Sequence, residues 1–400
     1  MSSFVAPCLW WSIAALIFAT ASSPIILIII LSDGTLTSST GAATLAALLL
    51  ASIFTIILIT SYIPRARFTV SRDQLVVISG CDSGLGAATA LKLARDEGFT
   101  VFAGCLTAAG VKSYTNIDGV TAFLLDVTDD NAGEALVQRV STWLSSASTR
   151  SLHALVNNAG IATSGVIDWA SIDTYRDTMD VNFFGHVTIT KALLPLLYSS
   201  AVAARLDATP PPRVINITSV AGLIGVPGLS AYCASKFALE AFSDALRRES
   251  ASFGLAVAII EPSFLRTPIL LDIEGRARAT FAALPLTTRE RWGNEYAESV
   301  AKRSAEIERA SEPLALGVFA IMQAVTHYSP IARYRAGTQG IFLLPYIAAL
   351  PAFLSDAILK RAGGNAKPAG ANITTLKKIR DLSGSSSSTG RSKRRGSMSK

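Results

Sequence analysis

Cysteine and histidine are scarce in this chain of 400 residues, with four of the first and three of the second. Cys8, Cys81, Cys105 and Cys233 show no paired spacing, which argues against a disulfide framework. No histidine cluster accompanies them, which argues against a zinc site; His153, His186 and His327 are scattered and read as structural or surface residues. Charge is also thin, at 16% of residues against 50% apolar. The deficit is local. Residues 9–31 and 42–63 carry no charged side chain at all. Each run is long enough to cross ~30 Å of hydrocarbon as a helix, and the turn at Asp33-Gly34 makes the pair a candidate membrane hairpin. A cleaved leader would need a basic n-region and a shorter apolar run. The connecting turn has no basic residue, whereas Arg65, Arg67 and Arg72 follow the second run. That asymmetry predicts a cytosolic amino terminus and a cytosolic C-terminal body.

Acidic residues are nearly missing from the end of the chain. From Lys360 onward eleven Lys or Arg face one Asp (Asp381), so the formal charge of +7 is concentrated there. The remainder has no basic surplus, and nothing in it supports nucleic-acid binding. Residues 384–400 are Ser-, Gly- and Arg/Lys-rich and predict a disordered tail. Such a tail suits contact with anionic lipid or simple solubility.

What is present is an alternation of short apolar runs and helical patterns. Residues 74–79, 100–105, 122–126, 152–157, 213–218 and 254–261 read as buried strands, each followed by a helix or a small-residue turn. Six such alternations imply a parallel sheet wrapped by helices on both faces. After the first strand comes Gly80-Cys-Asp-Ser83-Gly84-Leu85-Gly86 and then a helix. Strand, glycine turn and helix in that order suggest a phosphate cradle, because the backbone approaches the pyrophosphate and the helix offers free N–H groups. The second strand ends in Gly104, Cys105 and Leu106, with no acid for a ribose diol and no arginine for a 2′-phosphate. Local residues therefore leave NAD and NADP both open. Asp126, with Val127 beside it, closes the third strand and suits an adenine amino group; an N-cap is the plainer role for Asp126 and Asp129. Asn158-Ala159-Gly160 follows the fourth strand and would let backbone lie against a flat cofactor. Asn182 is buried by pattern, so it must bond something: a water leading from Lys236 to solvent, or nearby backbone.

The fifth strand runs into Ser219, and thirteen residues later Tyr232 and Lys236 stand one helical turn apart at a helix start. Ser219 lies at the carboxyl end of its strand, where open α/β sheets bind ligands. This trio suits proton transfer coupled to hydride transfer. A phenol near pKa ~10 is a weak base, and an adjacent ammonium favours its ionised form. Residues 198–212 read as a surface insertion, residues 264–286 as an apolar mobile lid, and 294–309 and 313–327 as helices. The run from Gly340 to Leu354 is apolar but broken by Pro345 and Pro351, which favours a membrane- or partner-facing segment over a span.

Taken together, Ser79-Gly80-x-x-x-Gly84-x-Gly86, Asn157-Asn158-Ala159-Gly160, Asn182, Ser219, Tyr232 and Lys236 resemble the short-chain dehydrogenase/reductase family over residues 74–268. The resemblance implies a Rossmann doubly wound fold and a nicotinamide cofactor. It assigns Tyr232 as acid/base, Lys236 as the ribose ligand that lowers the phenol's pKa, Ser219 as substrate orienter and Asn182 as part of a proton relay. By the same resemblance Gly80, Ser83, Gly84, Leu85, Gly86, Asp126, Val127, Asn158, Ala159, Gly160, Tyr232, Lys236 and Pro262 line the cofactor. Gly80-Cys-Asp-Ser-Gly84, Phe102-Ala-Gly-Cys-Leu-Thr107 and the run from Glu240 to Arg248 look like the branch of retinol, type 2 17β-hydroxysteroid and 3-hydroxybutyrate dehydrogenases, which implies NAD. Ser79 replaces the usual Thr, and Glu261-Pro262-Ser263 replaces the usual Pro-Gly near the nicotinamide.

The expected organisation is a membrane anchor (1–67), a dehydrogenase domain (68–330) with a lid at about 263–310, an apolar segment (331–360) and a basic tail (361–400). The expected activity is hydride transfer on a lipophilic alcohol of steroid or retinoid type, at the endoplasmic reticulum or a mitochondrial membrane, with a homodimer compatible. A small hydroxy acid is the alternative substrate, and it needs a carboxylate clamp that no residue supplies by pattern. A non-catalytic scaffold is the remaining alternative, and the intact Ser219, Tyr232 and Lys236 oppose it.

Overall fold

The computed structural model describes residues 66–163, 165–362 and 367–371. Both candidate membrane segments and the 384–400 tail lie outside them. Seven parallel strands form one sheet in the order β3-β2-β1-β4-β5-β6-β7. They are β1 (Gln74–Ile78), β2 (Thr100–Cys105), β3 (Val120–Leu124), β4 (Ser151–Asn157), β5 (Arg213–Ile217), β6 (Ala256–Pro262) and β7 (Arg333–Ala336). The order reverses direction between β1 and β4, and that switch opens the crevice in which such sheets bind ligands.

Both faces are buried, which is why the central strands read as unbroken apolar runs. Leu75 and Val77 of β1 point to one face, with Leu136 and Val140 of α3 (Ala132–Ser145) and Ile189, Leu193 and Leu197 of α5 (Gly185–Leu206). Val76 and Ile78 point to the other, with Ala90 of α1 (Gly84–Lys92) and Ile321 and Val325 of α10 (Ala315–Thr326). A short α2 (Ala108–Lys112) follows β2. The helix α4 (Ile172–Met179) joins α5 through a π-helical turn, Asp180–Phe184. This continuous rod is apolar and long enough to cross a bilayer by composition alone, but its apolar stripe is spent on the sheet.

The structure amends the sequence reading in four places. The sheet does not stop at β6: Arg333-Tyr-Arg-Ala pairs in parallel with β6 beyond the domain boundary expected at residue 330. Its alternating arginines hid it from an apolar-run search. The supposed insertion at 198–212 is mostly helix, because α5 continues to Leu206 and buries Ala201 and Ala204. β3 begins and ends two residues earlier than expected, which leaves Asp126 beyond the strand. The apolar segment after β7 folds as three short helices, α11 (Thr338–Phe342), α12 (Leu344–Ala348) and α13 (Ala352–Ala362).

Helices α7 (Ile273–Ala282), α8 (Leu286–Trp292) and α9 (Asn294–Arg309) follow β6 and carry a small core of their own. Trp169, from the loop after β4, packs its ring against Phe281 and Trp292 with centroids 5.1 and 5.8 Å away. At the opposite end of the sheet the buried Arg213 guanidinium donates to the carbonyls of Ala324, Val325 and His327 at 2.7–3.0 Å. It thereby satisfies the carbonyls that the end of α10 leaves without partners.

Candidate active site

Crevice and cavity coincide. A cavity of about 330 Å³ opens at the carboxyl ends of β1, β4, β5 and β6. The glycine turn forms its floor. Gly80 (φ 70°) and Gly84 (φ 61°) adopt left-handed backbone, which costs glycine little. A Cβ on Gly86 would lie 2.3 Å from the Gly80 carbonyl oxygen, so that position tolerates no side chain. The first N–H groups of α1 have no partner within their helix and face this cradle. Ser83 stands at the N-cap position with its hydroxyl uncommitted to capping. The observed cradle fits a pyrophosphate.

Asn158, Ala159 and Gly160 form the wall, and they are stitched to the floor. The Asn158 amide donates to the carbonyls of Ser79 and Gly80 at 3.0 and 2.9 Å. The backbone N–H groups of Asn158 and Ala159 both donate to the Ser79 hydroxyl at 3.1 Å. Ser79, where the family usually has Thr, thus keeps the hydroxyl function. Leu85 lines the cavity but also packs on Gly317, where a Cβ would meet its methyl at 2.6 Å. Val127 is buried, and its side chain fills the space left by Gly185. Asp126 accepts from the N–H and hydroxyl of Thr128 at 2.9 and 2.7 Å. It closes a turn and is not the N-cap, since α3 starts after Asn131. Pro262, at the end of β6, reaches the cavity, and its carbonyl accepts the Ser219 hydroxyl at 3.4 Å.

Ser219, Tyr232 and Lys236 meet at the cavity's inner end. Tyr232 and Lys236 lie in the first two turns of α6 (Ser230–Glu249), and both line the cavity with Ser219. The buried Lys236 ammonium stands 5.7 Å from the Tyr232 ring centroid and donates to the Ile217 carbonyl at 2.9 Å. Burial brings its pKa down to about 8, against the pull of Glu240 one turn further along. The phenol departs from the sequence expectation. Burial pushes it up to about 12, with the neighbouring Ser219 hydroxyl acting the other way. Nothing in the cofactor-free protein holds it below its ordinary value.

Asn182 is brought beside this trio by the π-helical turn, a feature that often marks functional positions. Its amide nitrogen donates to the Ile161 carbonyl (2.9 Å) and the Ser235 hydroxyl (3.0 Å), and its oxygen accepts from the Ile161 N–H (2.8 Å). Nearby backbone, one of the two expected partners, is thus bonded together with a neighbouring hydroxyl. His186 Nε2 donates to the Ala159 carbonyl at 2.7 Å, and burial and the Lys236 charge depress the imidazole to about 3. Sequence reasoning passed over Asp82 and Thr218, which line the cavity; Leu265, Ile269 and Leu270 line it too and fall within the segment expected as a lid. Only the apolar character of the lid was a usable signal.

The short chain dehydrogenase family profile matches residues 74–276. Among curated proteins, retinol dehydrogenase 5 of Mus musculus is 37% identical over 295 residues, covering 72% of this chain and 88% of its own. The 17-beta-hydroxysteroid dehydrogenase type 6 of Bos taurus is 34% identical over 306 residues (74% and 92%). Mitochondrial D-beta-hydroxybutyrate dehydrogenase of Mus musculus is 34% identical over 272 residues (65% and 76%). A solved short-chain dehydrogenase from Streptomyces avermitilis superposes with TM-score 0.55 at 25% identity, covering 73% of this chain and 98% of that one. With the cradle, the wall and the serine–tyrosine–lysine cluster in place, the chain belongs to the short-chain dehydrogenase/reductase family of NAD(P)-dependent oxidoreductases.

Proposed function

We propose that this protein is a membrane-anchored dehydrogenase that interconverts a lipophilic secondary or allylic alcohol and its carbonyl, steroid or retinoid in type. The observation that carries the proposal is the character of the cavity wall beyond Tyr232. Ile161, Val226, Leu229, Leu265, Ile269 and Leu270 form it, and Lys236 is the only cation among the described residues lining the cavity. A small hydroxy acid would need a guanidinium or ammonium for its carboxylate, and Lys236 is committed elsewhere. An apolar wall suits a substrate that partitions into lipid.

In this reading the glycine turn and α1 seat the dinucleotide, and the Asn158–Gly160 wall lies against it. The bound cofactor supplies the hydride acceptor. Ser219 holds the substrate oxygen beside Tyr232, and Tyr232 takes the hydroxyl proton as the carbonyl forms. Lys236 contacts the ribose and stabilises the phenolate. Asn182 orients Ser235 and the Ile161 backbone at the mouth of the proton path. Helices α7–α9 act as the lid. The apolar 9–31 and 42–63 segments hold the enzyme at the endoplasmic reticulum with its catalytic body in the cytosol, and exposed Phe342, Leu343 and Phe353 add an apolar flank. The test is turnover of the full chain with NAD and a panel of steroids, retinol and 3-hydroxybutyrate. Product from a lipophilic alcohol is the expected result. Product from 3-hydroxybutyrate alone would replace this reading with the hydroxy-acid alternative.

A further inference from the structure

Asp82 belongs to the glycine turn by sequence, yet its carboxylate works at the end of a different strand. Oδ2 accepts from the Leu106 N–H at 2.7 Å, while Oδ1 accepts from the Thr107 N–H at 2.9 Å and the Thr107 hydroxyl at 2.7 Å. The pocket for it is shaped in advance: a Cβ on Gly110 would come within 2.4 Å of Asp82 Oδ1. Both Asp82 and Leu106 line the cavity. The end of the second strand is where a Rossmann site places the acid that binds the adenosine ribose, and this chain has only Gly104, Cys105 and Leu106 there.

We propose that Asp82, reaching across from the glycine turn, supplies that missing carboxylate and makes the site selective for NAD over NADP. The proposal rests on the dinucleotide seating in the glycine-turn crevice, as the family membership requires.

Three features support it. First, a carboxylate has about four acceptor positions. Three are taken by Leu106 and Thr107, which leaves one, on Oδ2, for a ribose hydroxyl to donate into. Second, the two backbone N–H groups that could have cradled a 2′-phosphate are already occupied by Asp82. Third, the charge is wrong for phosphate. Asp82 and Asp126 are the charged residues lining this end of the cavity, and Lys236 belongs to the inner end. Hydrogen bonds from Thr107 and Leu106 outweigh the effect of burial and keep Asp82 below the usual carboxylate range, so it is ionised at any working pH. A 2′-phosphate placed here would meet charge of its own sign.

The experiment is equilibrium binding of NADH and NADPH to the full chain in detergent, read by the fluorescence of the reduced nicotinamide. The wild-type protein should bind NADH about a hundredfold tighter than NADPH at low salt, with the gap narrowing at high salt because Asp82 is only half-buried. Asp82→Asn and Asp82→Ser, each checked for an unchanged far-UV spectrum, should shrink the gap to about tenfold or less, chiefly through tighter NADPH. Equal affinity of the wild type for the two cofactors overturns the proposal and leaves the dehydrogenase reading standing. A gap that survives in the folded variants, or one insensitive to salt, overturns it likewise. Binding of neither cofactor by the wild type overturns both.

Discussion

Replacing Lys236 with Met tests the electrostatic core of the mechanism. The side chains are similar in length, so the apolar contacts of the stem survive and the charge and the bond to the Ile217 carbonyl are lost. The ammonium lies 5.7 Å from the Tyr232 ring centroid. At an effective dielectric of ~20, a unit charge at that range favours the phenolate by about 3 kcal/mol, or ~2 pKa units. In the free protein burial holds the phenol up at about 12. Ionising it near pH 8 requires a descent of ~4 units, about 5.5 kcal/mol. Lys236 is already in place at that value, so the descent must come from the positive charge of an oxidised nicotinamide, and losing Lys236 would lengthen it by ~2 units. The wild-type enzyme should therefore show its tyrosinate absorbance near 295 nm at lower pH with NAD bound than without. In Lys236→Met the acidic limb of kcat/KM against pH for alcohol oxidation should move up by ~2 units, costing about a hundredfold in rate at neutral pH. If the variant folds, binds NAD and gives a superimposable pH profile, the ammonium does not govern the phenol and the assignment is wrong.

Two further predictions concern stability. Arg213→Leu should take a charged donor from each of the buried carbonyls of Ala324, Val325 and His327, with Val325 keeping only His153 Nε2 at 3.0 Å; a loss of about 3–5 kcal/mol is expected, read as a fall in thermal midpoint, and a change below ~1 kcal/mol would refute the capping role. His153 and His186 are both buried, and burial, with the charges of Arg213 and Lys236 respectively, depresses them, His186 to about 3. Their folded-state values lie below the unfolded ~6.5, so the unfolded chain binds protons that the folded one refuses. Stability should be fully present above pH ~6.5 and fall by up to ~2.7 kcal/mol per unit below it, until the folded imidazoles titrate in turn. A urea midpoint that stays flat from pH 7 to pH 5 would contradict the neutral buried state.

Five of the six strands legible from the sequence are buried on both faces, where apolar residues must run without interruption; β3, at one edge, kept enough apolar residues to be read, though two residues late. β7, at the other edge, was not legible because arginines interrupt it. Arg333 extends to Glu240, Asp244 and Glu261 at 3.0–3.1 Å, and Arg335 to Glu261 at 3.1 Å. Those partners come from α6 and β6, and no local pattern announces them. The site divides in the same way. Tyr232 and Lys236 were readable because one helical turn separates them, and the glycine turn because strand, turn and helix are contiguous. Asp82 was not, since its partners lie 24 and 25 residues away. Asn182 was recognised as buried and polar, but its bonds to Ile161 depend on a π-helical turn that shifts the register of the rod at that point.

The arginines of β7 also bear on the catalytic end of α6. Counting along that helix, Tyr232, Lys236, Glu240 and Asp244 succeed one another at single turns, so one face runs from the reacting phenol to the edge-strand ion pairs. Glu240 is buried, and burial pushes its carboxyl up to about 7 while Thr218 and Arg333 draw it down. Without Arg333 that carboxyl would protonate more readily, and Lys236 would lose the neighbour that partly offsets its own desolvation. A lysine at about 8 keeps most of its charge at neutral pH; one lower by a further unit or two would not, and the phenolate would lose its support. The seventh strand, absent from the sequence reading, thus has a physical reason to matter to the chemistry: through Glu240 its arginine helps keep the ammonium beside Tyr232 charged.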